Sequence, residues 1–128
     1  PMSISDLNRT IVNGHTNGLD LWLPAVSKAN AGVWLKIVCG VASGGASIVV
    51  TAATGDPLRG YVFNTKATDA VANRVYFAPD GTDLILTLNG TTTGGLIGSE
   101  VLLQVDQDGY WAVSGQLTGS GSIVTSFS

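Results

Sequence analysis

Apolar side chains in this chain alternate with polar ones over short windows and do not recur every three or four residues. A period of two sends successive side chains to opposite faces of an extended strand, whereas an amphipathic helix needs a period near 3.6. The windows are also rich in Val, Ile, Leu, Thr and aromatic residues, which fit a half-buried pleated surface. The pattern therefore predicts strands near residues 10–13, 19–23, 33–39, 47–53, 58–63, 74–78, 83–88, 99–105, 110–114 and 122–127.

Turn residues separate these windows and agree with the strand pattern. Asn-Gly, Asp-Gly and Gly-Gly pairs accept a positive φ easily and close tight hairpins. The pairs are Asn13-Gly14, Asn17-Gly18, Gly44-Gly45, Asp80-Gly81, Asn89-Gly90, Gly94-Gly95 and Asp108-Gly109. The clearest unit is a β-hairpin that joins windows 99–105 and 110–114 through Asp106-Gln107-Asp108-Gly109. The spacing predicts an all-β fold, an antiparallel β-sandwich or barrel of jelly-roll type.

The organisation of the chain is that of one domain. Its 128 residues suit a single core, and no period of about 20 to 50 residues repeats along it. We take residues 19–128 as the β domain. Residues 1–18 are polar and carry two Asn-Gly pairs, so they form either an extended N-terminal arm that orders on a neighbour or an ordinary first strand. Residues 24–31 and 65–73 are candidates for a helical turn or a loop.

Charged residues are sparse. They make up 12% of the chain, against about 25% in a typical soluble domain. A folded monomer of this mass exposes roughly 6,400 Å², which leaves one charged side chain per roughly 430 Å². Sizeable areas of the surface must therefore consist of Gly, Ser, Thr, Asn and apolar residues. A surface of this composition is typical of a protein–protein interface. The alternative is a hydroxyl-rich surface that remains exposed to solvent.

The charge pattern disfavours nucleic acid, and the apolar pattern disfavours a membrane. The net charge is −3, whereas binding to a phosphate backbone needs clustered Lys and Arg. The cations are scattered without a run: Arg9, Lys28, Lys36, Arg59, Lys66 and Arg74.

No stretch approaches the roughly 20 apolar residues of a spanning helix, and no signal peptide is recognisable. The start, Pro1-Met2-Ser3, fits a protein made in the cytoplasm that lost its initiator Met, or a cloning remnant.

The sequence offers no credible catalytic, cofactor or metal site. Its one histidine, His15, lies between two Asn-Gly pairs in a predicted exposed turn, which does not position a base for a serine or cysteine nucleophile. The single cysteine, Cys39, excludes an intrachain disulfide and is expected to be a small buried apolar residue. One His, one Cys and one Glu are too few ligands for zinc or another transition metal. We therefore expect a protein that is not an enzyme and needs no cofactor.

Carboxylates occur in two close pairs, Asp80 with Asp83 and Asp106 with Asp108. The second pair resembles the start of a calcium loop, but the chain re-enters a strand before the further ligands and the bidentate Glu that such a loop needs. We expect both pairs to form turns, with a weak calcium site shared between subunits as the alternative. The glycine-rich segment 91–98 lacks the Lys-Ser or Lys-Thr pair and the helix of a phosphate loop.

Three tryptophans, Trp22, Trp34 and Trp111, each lie in a predicted strand. An aromatic residue in a strand more often packs in the core or at a subunit interface than it stacks on a ligand. We expect Trp111 to lie in the core, on the second strand of the predicted hairpin.

Several motifs together resemble a pattern in virion proteins of tailed bacteriophages. They are Leu19-Asp20-Leu21-Trp22-Leu23-Pro24-Ala25, Ala31-Gly32-Val33-Trp34, Gly55-Asp56-Pro57-Leu58-Arg59-Gly60, Gly94-Gly95-Leu96-Ile97-Gly98-Ser99, Asp108-Gly109-Tyr110-Trp111-Ala112-Val113-Ser114-Gly115 and Gly119-Ser120-Gly121-Ser122. The chain resembles the small capsid decoration, or cement, proteins of these phages, and similar β modules occur in phage tail fibres. The motifs cover most of the chain and are largely strand and turn signatures.

The resemblance implies a β-sandwich or barrel that binds the outside of an assembled capsid, often as a homotrimer, and strengthens the shell. The implied partners are the major capsid protein and further copies of the chain, and the implied location is the capsid exterior of the virion. An arm that carries Met2, Ile4 and Leu7 is a candidate contact with a neighbouring capsid subunit. The alternative is a tail-fibre domain that recognises a ligand on the host surface.

Overall fold

The computed structural model describes residues 2–14, 18–40, 47–66 and 74–128. Within them the chain forms strands and two short 3₁₀ turns, Ile4–Asp6 and Lys28–Asn30. The strands are β1 (Arg9–Asn13), β2 (Leu19–Trp22), β3 (Trp34–Cys39), β4 (Ile48–Thr51), β5 (Arg59–Gly60), β6 (Val62–Lys66), β7 (Arg74–Phe77), β8 (Ile85–Leu88), β9 (Glu100–Val105) and β10 (Trp111–Gly119).

Two open sheets pack against each other as a β-sandwich. The larger sheet has the order β1-β3-β9-β10-β6-β7, with β5 also paired to β10, and the smaller has the order β2-β4-β8. The predicted sandwich is thus confirmed, and the described strands do not close into the alternative barrel. The sheets are mixed and not purely antiparallel as predicted: β1 runs parallel to β3, β2 to β4, and both β5 and β6 to β10.

The core follows from the alternation in the sequence. In β3 and β9 every second side chain is buried, and β4 and β8 repeat this pattern from the facing sheet. Trp111 is fully buried, as predicted. The principal inward side chains are Leu35, Ile37, Cys39, Ile48, Val50, Leu86, Leu88, Val101, Leu103, Val105, Trp111 and Val113.

The predicted hairpin of β9 and β10 is confirmed, with Trp111 opposite Val105. Its loop holds Gly109 at a φ of 87°, where a side chain is rarely tolerated. An added Cβ at Gly109 would also lie within 2.9 Å of backbone atoms of Ser27 and Lys28. Glycine at this position therefore lets the hairpin loop pack directly on the second 3₁₀ turn.

Two strand predictions are corrected. Window 58–63 divides into β5 and β6 because Gly60, at a φ of 97°, bends the chain where it approaches the backbone of Val113. Residues 122–127 do not form a strand; only Phe127 makes an isolated bridge, to Leu86. The chain end instead hydrogen-bonds along the outer edge of β8, where the Ile85 amide donates to the Ser128 carbonyl at 2.8 Å.

The helical candidates have separate outcomes. In the stretch 24–31 the residues Lys28–Asn30 form a 3₁₀ turn. In the stretch 65–73 the first two residues belong to β6, and residues 67–73 lie outside the described residues. The Gly44-Gly45 turn and His15 also lie outside them.

Candidate binding surfaces

One exposed apolar surface lies on the outer face of the smaller sheet. Trp22, Thr51 and Ile85 are register partners across β2, β4 and β8. Their neighbours in sequence Val50 and Leu86 point inwards and are fully buried. Trp22 is 54% exposed and borders a depression of about 520 Å³. We call this surface, lined by Met2, Trp22, Leu23, Pro24, Ala25, Thr51, Ala52, Ala53, Thr54, Leu84 and Ile85, the tryptophan patch.

The backbone around Trp22 is held by hydrogen bonds on both sides. The amide of Met2 donates to the carbonyl of Trp22 at 2.8 Å. The amide of Leu23, a buried residue, donates to the carbonyl of Thr51 at 2.8 Å. The carbonyl of Pro24 accepts a hydrogen bond from Nε1 of Trp111 at 3.3 Å. The exposure of Trp22 is therefore built into the fold, because the segment that carries it is fixed to the core.

The three residues of the predicted capsid-contact arm have different environments. Met2 lines the tryptophan patch and packs partly on the core, and Ile4 is 37% exposed. Leu7 is buried in the core, so it does not belong to an exposed arm. Hydrogen bonds of the next residue, Asn8, hold this part of the chain against β3. The Asn8 amide donates to the carbonyl of Trp34 at 2.6 Å, and its Oδ1 accepts from the Trp34 amide at 3.1 Å.

A second surface lies on the outer face of the larger sheet. Glu100, Gln116, Phe63 and Tyr76 follow one another on neighbouring strands β9, β10, β6 and β7. Together with Lys36, Tyr61, Leu102, Ser114 and Gly115 they line a groove of about 450 Å³. We call it the aromatic groove.

The aromatic side of this groove consists of three rings, of which that of Tyr76 contacts the other two. The ring centroid of Tyr76 lies 4.8 Å from that of Phe63 and 5.7 Å from that of Tyr61. Both tyrosines protrude, since Tyr76 is 66% and Tyr61 58% exposed. Contacts of this kind between rings are favourable, so the three side chains together form an apolar wall of the groove.

The described residues on the polar side of the aromatic groove carry charges that cancel. Among the described residues two charged ones line it, Lys36 and Glu100, and Nζ of Lys36 lies 3.5 Å from Oε2 of Glu100. Ser114 and Gln116 add a hydroxyl and an amide on β10. The groove therefore offers both donors and acceptors beside its rings.

The two surfaces face opposite directions. On β9 and β10, Leu103 and Val113 point into the core, and Leu102 and Ser114 point out to the aromatic groove. On the facing sheet the outward row is the one that carries Trp22. A molecule bound to one surface therefore leaves the other accessible.

The carboxylate pairs form turns, as predicted. Oδ1 of Asp106 accepts hydrogen bonds from the amides of Asp108 and Tyr110, at 2.9 and 3.0 Å. Oδ2 of Asp83 accepts from the amide of Asp80 at 3.0 Å. Hydrogen bonds from the side chain and the amide of Thr82 lower the pKa of Asp80. In the part of the chain that the structure describes, no three His, Cys, Asp or Glu residues are grouped to hold a metal ion.

The glycine-rich segment after β8 is also a turn. Oδ1 of Asn89 accepts hydrogen bonds from the amides of Thr91, Thr92 and Thr93, at 2.8 to 3.1 Å. These converging amides are the groups that a phosphate loop presents to its ligand. Here a side chain of the protein itself occupies them, so the segment is structural.

Cys39 is 1% exposed, which confirms that it is a buried apolar residue. Burial raises the pKa of its thiol to about 11. A thiol of this kind stays protonated at neutral pH and is a poor nucleophile or metal ligand.

The sequence contained signals for part of these surfaces. Trp22 and Asp20 are two residues apart in β2, so their side chains lie on the same face of the strand. The polar Asp20 indicates that this face points away from the core. Tyr61 and Phe63 are two residues apart and so share a face of the sheet. The position of Tyr76 beside them had no sequence signal, because it depends on the register of β7 against β6.

Comparison with protein-family models, curated proteins and solved structures yields no match to this chain. Among the described residues, no helix has the length and apolar character needed to cross a membrane.

Proposed function

We propose that this protein is a virion structural protein that decorates the outside of a bacteriophage capsid and stabilises the shell. The observation that carries this proposal is the tryptophan patch, an exposed apolar surface on a rigid part of a charge-poor protein. Exposed patches of this kind mark interaction sites in soluble proteins. The resemblance of the sequence motifs to decoration proteins supports the same role.

The tryptophan patch is the proposed contact with the major capsid protein. None of the described residues that line it is charged, so its burial carries little penalty for removing charge from water. Trp is among the residues that most often dominate binding at interfaces. Met2 lines the patch, and Ile4, two residues further along the chain, is 37% exposed; both remain proposed contacts from the predicted arm.

The proposed mechanism is mass action on the assembled shell. A protein that binds the closed shell and not its free subunits shifts the equilibrium towards the shell, without catalysis or a cofactor. Assembly as a homotrimer would present three patches at once, and the second and third contacts would then benefit from a high effective concentration.

The first test is the copy number of the protein in intact virions, measured by mass spectrometry against the major capsid protein. Hundreds of copies support decoration, and a handful or none contradicts it. Light scattering at micromolar concentration tests the trimer, which a monomer with no affinity for capsids would contradict.

A matched pair of variants then tests the surface. Virions depleted of the protein are incubated with Trp22→Ser or Tyr76→Ser and sedimented. Trp22→Ser should lose binding while its melting temperature stays close to that of the wild type, and Tyr76→Ser, on the opposite face, should bind normally. Equal binding by both variants would remove the tryptophan patch from the proposed interface.

The aromatic groove favours a second candidate function, that of a tail-fibre domain which recognises a ligand on the host surface. Concave sites with aromatic walls and a few polar groups are typical of ligand recognition. Copy number separates the two functions, since a fibre occurs in a handful of copies per virion.

A further inference from the structure

We infer that the aromatic groove binds neutral hexopyranose residues of a polysaccharide. The inference goes beyond the decoration role and does not rest on it, because the groove and the tryptophan patch lie on opposite faces of the sandwich. A decoration subunit bound through the patch would keep the groove exposed on the outside of the particle.

The aromatic wall provides the first part of the argument. One face of a hexopyranose ring presents mainly C–H groups, which pack on the apolar face of an aromatic ring. Tyr61 and Tyr76 protrude from the sheet, and the contact of Phe63 with Tyr76 supports the wall from below. Tyr is suited to this position since its ring is apolar and its hydroxyl reaches water.

The polar side provides the second part. Sugar hydroxyls both donate and accept hydrogen bonds, so a sugar site needs donors and acceptors close to the aromatic wall. Gln116 lies between Glu100 and Phe63 in the row across the sheet, and Ser114 is two residues away on the same face. The amide of Gln116 supplies both kinds of group, Glu100 accepts and Lys36 donates. The volume, about 450 Å³, is within the usual range of ligand sites.

Charge selects among the possible sugars. The ammonium of Lys36 is paired with the carboxylate of Glu100, and no other charged residue in the described part of the chain lines the groove. An anionic sugar or a phosphate would therefore find no unpaired cation there. The groove is complementary to a neutral ligand.

The test is a titration of the ¹⁵N-labelled full chain with three neutral sugars, maltotriose, lactose and N,N′-diacetylchitobiose, followed by NMR. We expect shifts of backbone amides at residues 61–63, 76 and 114–116, with a Kd of roughly 1 mM for at least one sugar. Tyr76→Ala and Gln116→Ala should each weaken binding about tenfold, the effect of losing one well-placed contact. Trp22→Ala is the matched control on the opposite face and should bind like the wild type.

Three outcomes would overturn the inference. The first is no shift with any of the three sugars at concentrations far above 1 mM. The second is binding that survives Tyr61→Ala and Tyr76→Ala, each with a spectrum that shows it to be folded. The third is tighter binding of 3′-sialyllactose or glucose 1-phosphate, which would point to an anion site. None of these outcomes affects the copy number in virions, so the decoration role is tested separately.

Discussion

The guanidinium of Arg59 lies over the ring of Tyr110, with Cζ 3.7 Å from the ring centroid. The same group is 3.6 Å from Oδ2 of Asp106 and 3.4 Å from Oδ2 of Asp108. Arg59 thus joins β5 to the loop of the β9–β10 hairpin, although the two are far apart in sequence. One side chain fixes the loop through a cation–π contact and two ion pairs.

Arg59→Ala should lower the free energy of unfolding by about 1 kcal/mol. Exposed ion pairs contribute about 0–1 kcal/mol and an exposed cation–π contact about 0.5–1 kcal/mol. Arg59→Lys should recover only part of this, since an ammonium does not reproduce the planar stacking. Urea unfolding at low and high salt checks the assignment. A wild-type stability equal to that of Arg59→Ala under both conditions would show that the contacts contribute nothing.

The tryptophans allow a direct comparison of core and surface. Trp111 is fully buried and Trp22 is 54% exposed. Trp111→Ala should therefore cost about 3–5 kcal/mol, the range for removal of a large buried side chain. Trp22→Ala should change the stability by less than about 1 kcal/mol. Thermal unfolding of the two variants is the measurement, and equal losses would mean that the exposure of Trp22 is misassigned.

The sequence predicted most strands, but it predicted pairing only where partners are adjacent. The β9–β10 hairpin followed from local turn chemistry. The parallel pairing of β1 with β3 and of β6 with β10 is non-local, and alternation contains no information about it. Residues 122–127 alternate like a strand, yet only Phe127 forms a bridge. The aromatic groove depends on such a non-local register, that of β6 against β10. The sequence therefore showed aromatic and polar residues in the separate strands but did not predict that they lie side by side.

The buried side chain of Asn64 is unusual in its lack of hydrogen bonds to other described residues. It is fully buried on β6, opposite Leu117 of β10, and neither its Nδ2 nor its Oδ1 has a hydrogen-bond partner among the residues that the structure describes. A buried polar group without a partner costs about 1–3 kcal/mol. Asn64→Leu keeps the branching at Cγ and removes both polar atoms, so it should raise the free energy of unfolding by about 1 kcal/mol.

The control for this prediction is Asn64→Asp, which places a carboxylate in the same site and should be strongly destabilising at neutral pH. Urea unfolding of the wild type and both variants gives the comparison. A lower stability for Asn64→Leu would mean that the amide of Asn64 makes favourable polar contacts in solution.

The buried thiol of Cys39 predicts a loss of stability at alkaline pH. Its pKa is raised by burial from 9.0 to about 11, so between these values the folded state retains a proton that the unfolded state releases. The contribution of the protonated thiol to the free energy of unfolding is complete below pH 9 and is lost as the pH rises through 11. A difference of two pKa units corresponds to roughly 2–3 kcal/mol. Cys39→Val removes this titration and leaves the alkaline groups elsewhere unchanged. Urea unfolding across this pH range should therefore show a steeper decline for the wild type than for Cys39→Val. Parallel declines would mean that the thiol ionises as readily in the folded as in the unfolded chain.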